Sequence, residues 1–157
     1  MPDRWERAAC LGLLIRARLQ IATGLAGRSL PLLRHLRKLA FDSRRHRRVI
    51  ECLILESSAH WQLNDRRSAQ ETLVEAIKLA APNQALRMFI DEGALGTQIL
   101  ETTRAALRGT PAVAAFVEDL RRALRTQSSA NGYLELAAGA ASPAALWEAL
   151  SHREIEI

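Results

Sequence analysis

Ala69-Gln70-Glu71-Thr72-Leu73-Val74-Glu75-Ala76-Ile77-Lys78-Leu79-Ala80, closed by Ala81-Pro82-Asn83, sets the pattern on which this chain is built. Ala69, Leu73, Ala76, Ile77 and Ala80 fall at i, i+4, i+7, i+8 and i+11, a stripe along one side of a 3.6-residue helix. Pro82 cannot continue that helix, so it stops there. Just upstream, Asn64 and Asp65 are turn formers, and either can cap the helix. Before them, Val49, Ile50, Cys52, Leu53, Ile54 and Leu55, continued by Ala59, Trp61 and Leu63, make a helix apolar most of the way round. Such a helix is sandwiched between neighbours. The same sequence of features occurs once more upstream. Residues 8–26 are apolar on more than one face, Gly24 and Gly27 bracket their end, and Ser29 with Pro31 opens a helix striped by Leu32, Leu33, Leu36, Leu39 and Ala40. Leu39-Ala40 falls on Leu79-Ala80, a period near roughly 40 residues with about one residue of slippage. Two helix pairs of one kind predict an all-α solenoid that must stack on neighbours to bury its faces.

Composition agrees. Apolar residues make up 48% and aromatics only 4% of 157 residues, with Ala and Leu dominant and β-branched runs scarce. That balance favours helix. No apolar run reaches the roughly 20 residues that span a bilayer, and the N-terminus, with Asp3, Trp5 and Glu6, does not read as a signal peptide. Cys10 and Cys52 are isolated and read as reduced thiols.

After the second pair comes Arg87-Met88-Phe89-Ile90-Asp91-Glu92-Gly93, a short helix with an apolar side, an acidic end and a glycine stop. Gly96 and Thr97 open a further helix running to Leu107, closed by Arg108-Gly109. Thr110-Pro111 opens another, striped by Val113, Phe116, Val117, Leu120, Ala123 and Leu124 and ending near Thr126. These helices read as a cap on the solenoid. Residues 1–126 are thus expected to form the repeat domain, and 127–146 a linker rich in Ala, Gly and Ser. At 147–157, Leu150-Ser151-His152-Arg153-Glu154 contains the Ser-x-x-Glu spacing of a capping box.

Helix pairs running into Arg-x-Phe-(aliphatic)-Asp-Glu-Gly, then helices, then Leu-Ser/Thr-x-Arg-Glu, resemble the MalT-type large LuxR-family transcription regulators. The resemblance covers roughly residues 10–107 and 147–157. It implies a tetratricopeptide-like sensor region with units longer than the standard tetratricopeptide repeat. In it Arg87, Phe89, Asp91, Glu92 and Gly93 form a structural motif at the junction with the cap. It also implies that Leu150, Ser151, Arg153 and Glu154 open a LuxR helix-turn-helix whose recognition helix lies beyond Ile157. On this resemblance the segment takes up a small-molecule inducer or a protein partner, self-associates in the active state, and reaches promoter DNA only through the missing helix-turn-helix. It works in the bacterial cytoplasm. ATP belongs to an upstream module, since no phosphate-binding glycine loop occurs here. A stand-alone helical-repeat adaptor is the alternative.

The residues themselves point to binding rather than catalysis. The histidines are scattered, Glu56 and His60 lack a second His for a metal pair, and no Ser or Cys has a His/Asp constellation. No catalytic, metal or cofactor site is expected in this segment. The concave face, lined by the first helix of each pair, is the expected groove for ligand or partner, with Arg16, Arg18, Gln20, Glu56, His60 and Gln62 as its polar candidates. Net charge is +5, but residues 28–48 carry +7, with Asp42 alone opposing eight basic residues. That window reads as a solvated helix face and a basic corner; contact with an acidic partner, or with nucleic acid, is the sharper alternative.

Overall fold

The computed structural model describes residues 4–92, 94–103, 107 and 110–140. Within them lie seven α-helices and no strand: α1 (Arg4–Ala22), α2 (Ala26–Asp42), α3 (His46–Gln62), α4 (Arg66–Ala80), α5 (Arg87–Ile90), α6 (Ala94–Thr103) and α7 (Pro111–Ala140), with a 3₁₀ turn at Ala81–Asn83 between α4 and α5. The fold is an all-α, tetratricopeptide-like solenoid. The pairs α1/α2 and α3/α4 stack through α3, and α6 and α7 pack beyond α4.

The repeat is stricter than the sequence pattern suggests. Gly24, Arg44, Asn64 and Gln84, evenly spaced along the chain, all have positive φ (78°, 54°, 62° and 50°). Each closes a helix in the same way. At the first turn the Gly24 N–H donates to the Ile21 carbonyl (3.1 Å) and the Leu25 N–H to the Gln20 carbonyl (2.7 Å). Arg44 and Arg45 repeat this onto Phe41 and Ala40, Asn64 and Asp65 onto Trp61 and His60, and Gln84 and Ala85 onto Ala81 and Ala80. This paired 5→2 and 6→1 bonding satisfies the carbonyls left over at a helix end, and it requires a left-handed residue. The unit therefore repeats without slippage, and it is built from two helix-plus-turn halves of equal length.

The first of these turns moves a helix start. Only Thr23, Gly24 and Leu25 separate α1 from α2, so α2 begins at Ala26 rather than at a Ser29 cap. Ser29 is drawn inside the helix and fully buried, its hydroxyl donating to the Ala26 carbonyl at 2.7 Å. Pro31 consequently lies in the body of α2, where it lacks the N–H for an i−4 bond. In the equivalent turn Asp65 does cap α4, accepting from the Ser68 N–H at 3.1 Å. Hydrogen bonding from Ser68, first by its side chain and then by this backbone N–H, holds the Asp65 carboxyl below its ordinary pKa.

The apolar girth of α3 is explained by two cores. Cys52, Leu55 and Ala59 join Leu14, Ala17, Ile21, Leu30 and Leu33 from the first pair. Val49, Ile50, Leu53 and Ile54 face the opposite way, into a core with Leu73, Ala76, Ile77, Phe89, Ile99, Leu100 and Phe116. Fully burying a Leu such as Leu53 is worth about 1.5–3 kcal/mol. Helix α7 does not end near Thr126 but runs to Ala140. Its Ala- and Leu-rich stretch outweighs the cost of about 1 kcal/mol for Gly132 in a helix interior. The expected linker at 127–146 is therefore helical as far as residue 140. Gly93, residues 141–146 and the segment 147–157, with Leu150, Ser151, Arg153 and Glu154, lie outside the described residues.

Candidate functional site

The side chains of the row formed by α1, α3 and the turn after α5 converge on Arg18. Its Nη2 donates to Glu51 Oε1 on α3 and to Glu92 Oε1, each at 2.6 Å, and its Nε donates to the same Glu92 oxygen at 3.0 Å. Arg48 Nη1 donates to the other oxygen of Glu51 at 2.5 Å. Glu51 and Glu92 are 19% and 15% exposed, so the pairing is largely withdrawn from solvent, while Arg18 keeps 36%. Burial pulls the Arg18 pKa down, but the hydrogen bonds to Glu92 and Glu51 and the charges of those groups outweigh it, and the net direction is up. Arg18 is a clasp: it ties the first helix to the third and to a motif far along the chain.

That contact gives the Arg87–Gly93 motif a division of labour. Phe89 is buried and meets Phe116 of α7 edge to face, centroids 5.8 Å apart and planes at 72°. Arg87 and Asp91 pair with each other at 3.1 Å on the surface, and Glu92 turns back to Arg18. The aromatic residue thus anchors the last helix and the final carboxylate anchors the first.

The six groove candidates separate into different places. Arg16 and Gln62 are exposed. Gln20 is half-buried, its Oε1 enclosed without a hydrogen-bond partner among the described residues. Glu56 faces the second helices instead of the α1/α3 row: it is 2% exposed and lies 3.0 Å from Arg37 of α2, which also reaches Glu75 of α4 at 3.7 Å. Arg37 Nε is close enough for a charge contact but not aligned as a hydrogen bond to Glu56 Oε1. Burial pushes the Glu56 carboxyl up, with Arg37 and Arg34 opposing. His60 bends to the turn, its Nδ1 3.3 Å from Asp65 Oδ2. Of the six, only Arg18 joins other charged groups on the α1/α3 row among the described residues.

A cleft of about 340 Å³ opens elsewhere, between the first half of α1 and the end of α2. Ala9, Cys10, Leu13, Leu36, Leu39 and Ala40 wall it, and Ser43, Arg45 and Arg48 rim it. None of the six candidates lines it. Arg45 and Arg48 also line an adjoining cleft of about 440 Å³ with Arg47 and Glu51. The basic corner seen in the sequence was the available signal; the apolar hollow beside it arises from side chains on two helices and left no local pattern. Among the described residues no group of three or more His, Cys, Asp or Glu converges to hold a metal ion. No helix among them is long and apolar enough to cross a membrane.

No curated protein matches this chain, and no solved structure does. A family model does: the one described as the MalT-like TPR region matches residues 9–106. That span takes in both helix pairs, the Arg87–Gly93 motif with its Arg18 clasp, and α6. The chain therefore belongs to the MalT-like TPR family of helical-repeat regions.

Proposed function

We propose that this segment is the signal-receiving part of a MalT-like, LuxR-family transcriptional regulator of the bacterial cytoplasm. An inducer or protein partner binds the helical array and shifts the regulator between a closed and an active, self-associating state. The observation that carries this reading is the family match over residues 9–106 followed, in the same chain, by the Leu150-Ser151-His152-Arg153-Glu154 opening. On it, residues 1–126 form the sensing domain, 127–146 connect it, with α7 as a stiff arm, and 147–157 begin the helix-turn-helix. The segment has no catalytic role and takes no cofactor; ATP belongs to an upstream module. A ligand acts here only through its different affinity for the two arrangements, and a clasp such as Arg18 with Glu51 and Glu92 is the kind of contact in which two arrangements differ.

A thermal-shift screen against sugars, aromatic acids and small metabolites tests the first half of this reading. A ligand at a hundredfold excess over its Kd stabilises the folded state by about 2.7 kcal/mol. The second half requires that the same ligand alter the DNA affinity of a chain carrying a complete helix-turn-helix. A ligand that binds and leaves that affinity unchanged refutes the regulator reading.

One observation favours the second reading, a helical-repeat adaptor. Leu11, Ile15 and Leu19 of α1 are 48%, 49% and 60% exposed. One repeat further on, their counterparts are Glu51, Leu55 and Ala59, and in α3 Leu55 and Ala59 are buried against the preceding pair. The same face of α1 is thus shaped to receive another helix pair. Substituting Leu11 and Ile15 by Glu abolishes partner capture on the adaptor reading and leaves inducer binding intact on the regulator reading.

A further inference from the structure

We infer that the cleft between α1 and α2, together with the arginine-lined cleft it adjoins, is a binding site for a small amphiphilic carboxylate: an alkyl or aryl body in the first, its carboxylate against Arg45 in the second. The two parts differ sharply in chemistry. Ala9, Cys10, Leu13, Leu36, Leu39 and Ala40 offer an apolar hollow of about 340 Å³, near the lower end of the roughly 300–1,000 Å³ typical of ligand pockets. It suits a small molecule better than a peptide. At its mouth Arg45 and Arg48 pass into the neighbouring cleft beside Arg47.

Charge settles the class of occupant. Glu51 is the acidic residue of this cleft, and both its oxygens are already taken, one by Arg18 and the other by Arg48. Arg45, only partly exposed, makes no ion pair among the described residues. An apolar body would cover Leu39, which is 43% exposed, and would bring a carboxylate to a guanidinium that presents two parallel donors. A neutral head group forgoes that pairing, and an ammonium is repelled.

The inference rests on the sensory reading for its purpose, but binding can be measured by itself. Cys10 lines the hollow and is partly exposed, whereas Cys52 is fully buried and its thiol is pushed up to about 12, chiefly by burial. A thiol reagent at mildly alkaline pH therefore reports on Cys10. The expected result is that octanoate slows this reaction saturably and that octanamide needs roughly tenfold more for the same protection, as befits loss of a charge-assisted hydrogen bond. Arg45→Gln, which breaks no ion pair among the described residues, should weaken octanoate by a similar factor. An unchanged rate with octanoate overturns the proposal. So does equal protection by octanamide or octylamine, or undiminished protection in Arg45→Gln. Failure here leaves the DNA-affinity experiment above standing, and failure there leaves the thiol protection untouched.

Discussion

Replacing Arg18 by Met keeps much of the aliphatic stem and removes the charge that joins α1, α3 and the turn after α5. Three hydrogen bonds disappear, two to Glu92 and one to Glu51. Glu51 retains Arg48, but Glu92, only 15% exposed, is left without that partner. Charge-assisted hydrogen bonds contribute about 1.5–3 kcal/mol each when enclosed, and exposed ion pairs about 0–1. With Arg18 itself 36% exposed, solvent screening brings the expected loss to about 1–2 kcal/mol. For a chain of this size that lowers the melting temperature by roughly 2–8 °C. Urea titration of Arg18→Met, Glu92→Gln and the double variant gives the coupling directly. It should be about 1 kcal/mol, and amide exchange over residues 87–92 should accelerate in either single variant. A coupling below roughly 0.3–0.5 kcal/mol, the level at which independent sites add, would mean that the three segments are held by apolar packing and that the clasp is incidental.

The even rhythm of the turns makes an opposite-signed prediction: Arg44→Gly and Gln84→Gly should each stabilise by roughly 0.5–1 kcal/mol, because a left-handed backbone costs an L side chain about 1–2 kcal/mol. Gly24→Ala should lose a similar amount from backbone strain alone, since an added Cβ meets nothing within 4 Å; thermal melts decide both. Phe116→Ala, removing a fully buried ring that contacts Phe89, should cost about 3–5 kcal/mol and detach α7, read by limited proteolysis of that helix. For Glu56 the sign follows from burial. Its folded pKa is raised, so the ionised carboxylate subtracts stability above that pKa, and the penalty is relieved as pH falls through it towards the unfolded value. Denaturation across pH should therefore show Glu56→Gln gaining most over the parent at neutral pH, with the gap closing on acidification; a gap that widens on acidification contradicts the burial argument.

What the sequence made legible was whatever repeats or runs along one helix. The stripe from Ala69 to Ala80 needs only the helical period to be recognised, and overlaying it on Leu33–Ala40 recovers the unit. The turns were half legible. Gly24 and Asn64 are residue types suited to positive φ, but Arg44 and Gln84 are not, and only the hydrogen bonds of the finished turns show that they occupy the same position. The Ser29-Pro31 pair misled for a related reason: it has the composition of a helix start, yet the short turn at Gly24 had already begun α2. The site was least legible because its contacts are distant in sequence. Nothing local to Arg18 distinguishes it from Arg16, its near neighbour on α1, which is exposed; what distinguishes them is that Arg18 points at α3, and so at Glu51 and Glu92. Glu56 shares a helix with the groove face, yet its carboxylate meets Arg37 of α2, which also reaches Glu75 of α4. A solenoid repeats its backbone and varies its surface. Its period can therefore be read from one helix pair, whereas its binding chemistry depends on which turn of one helix meets which turn of the next.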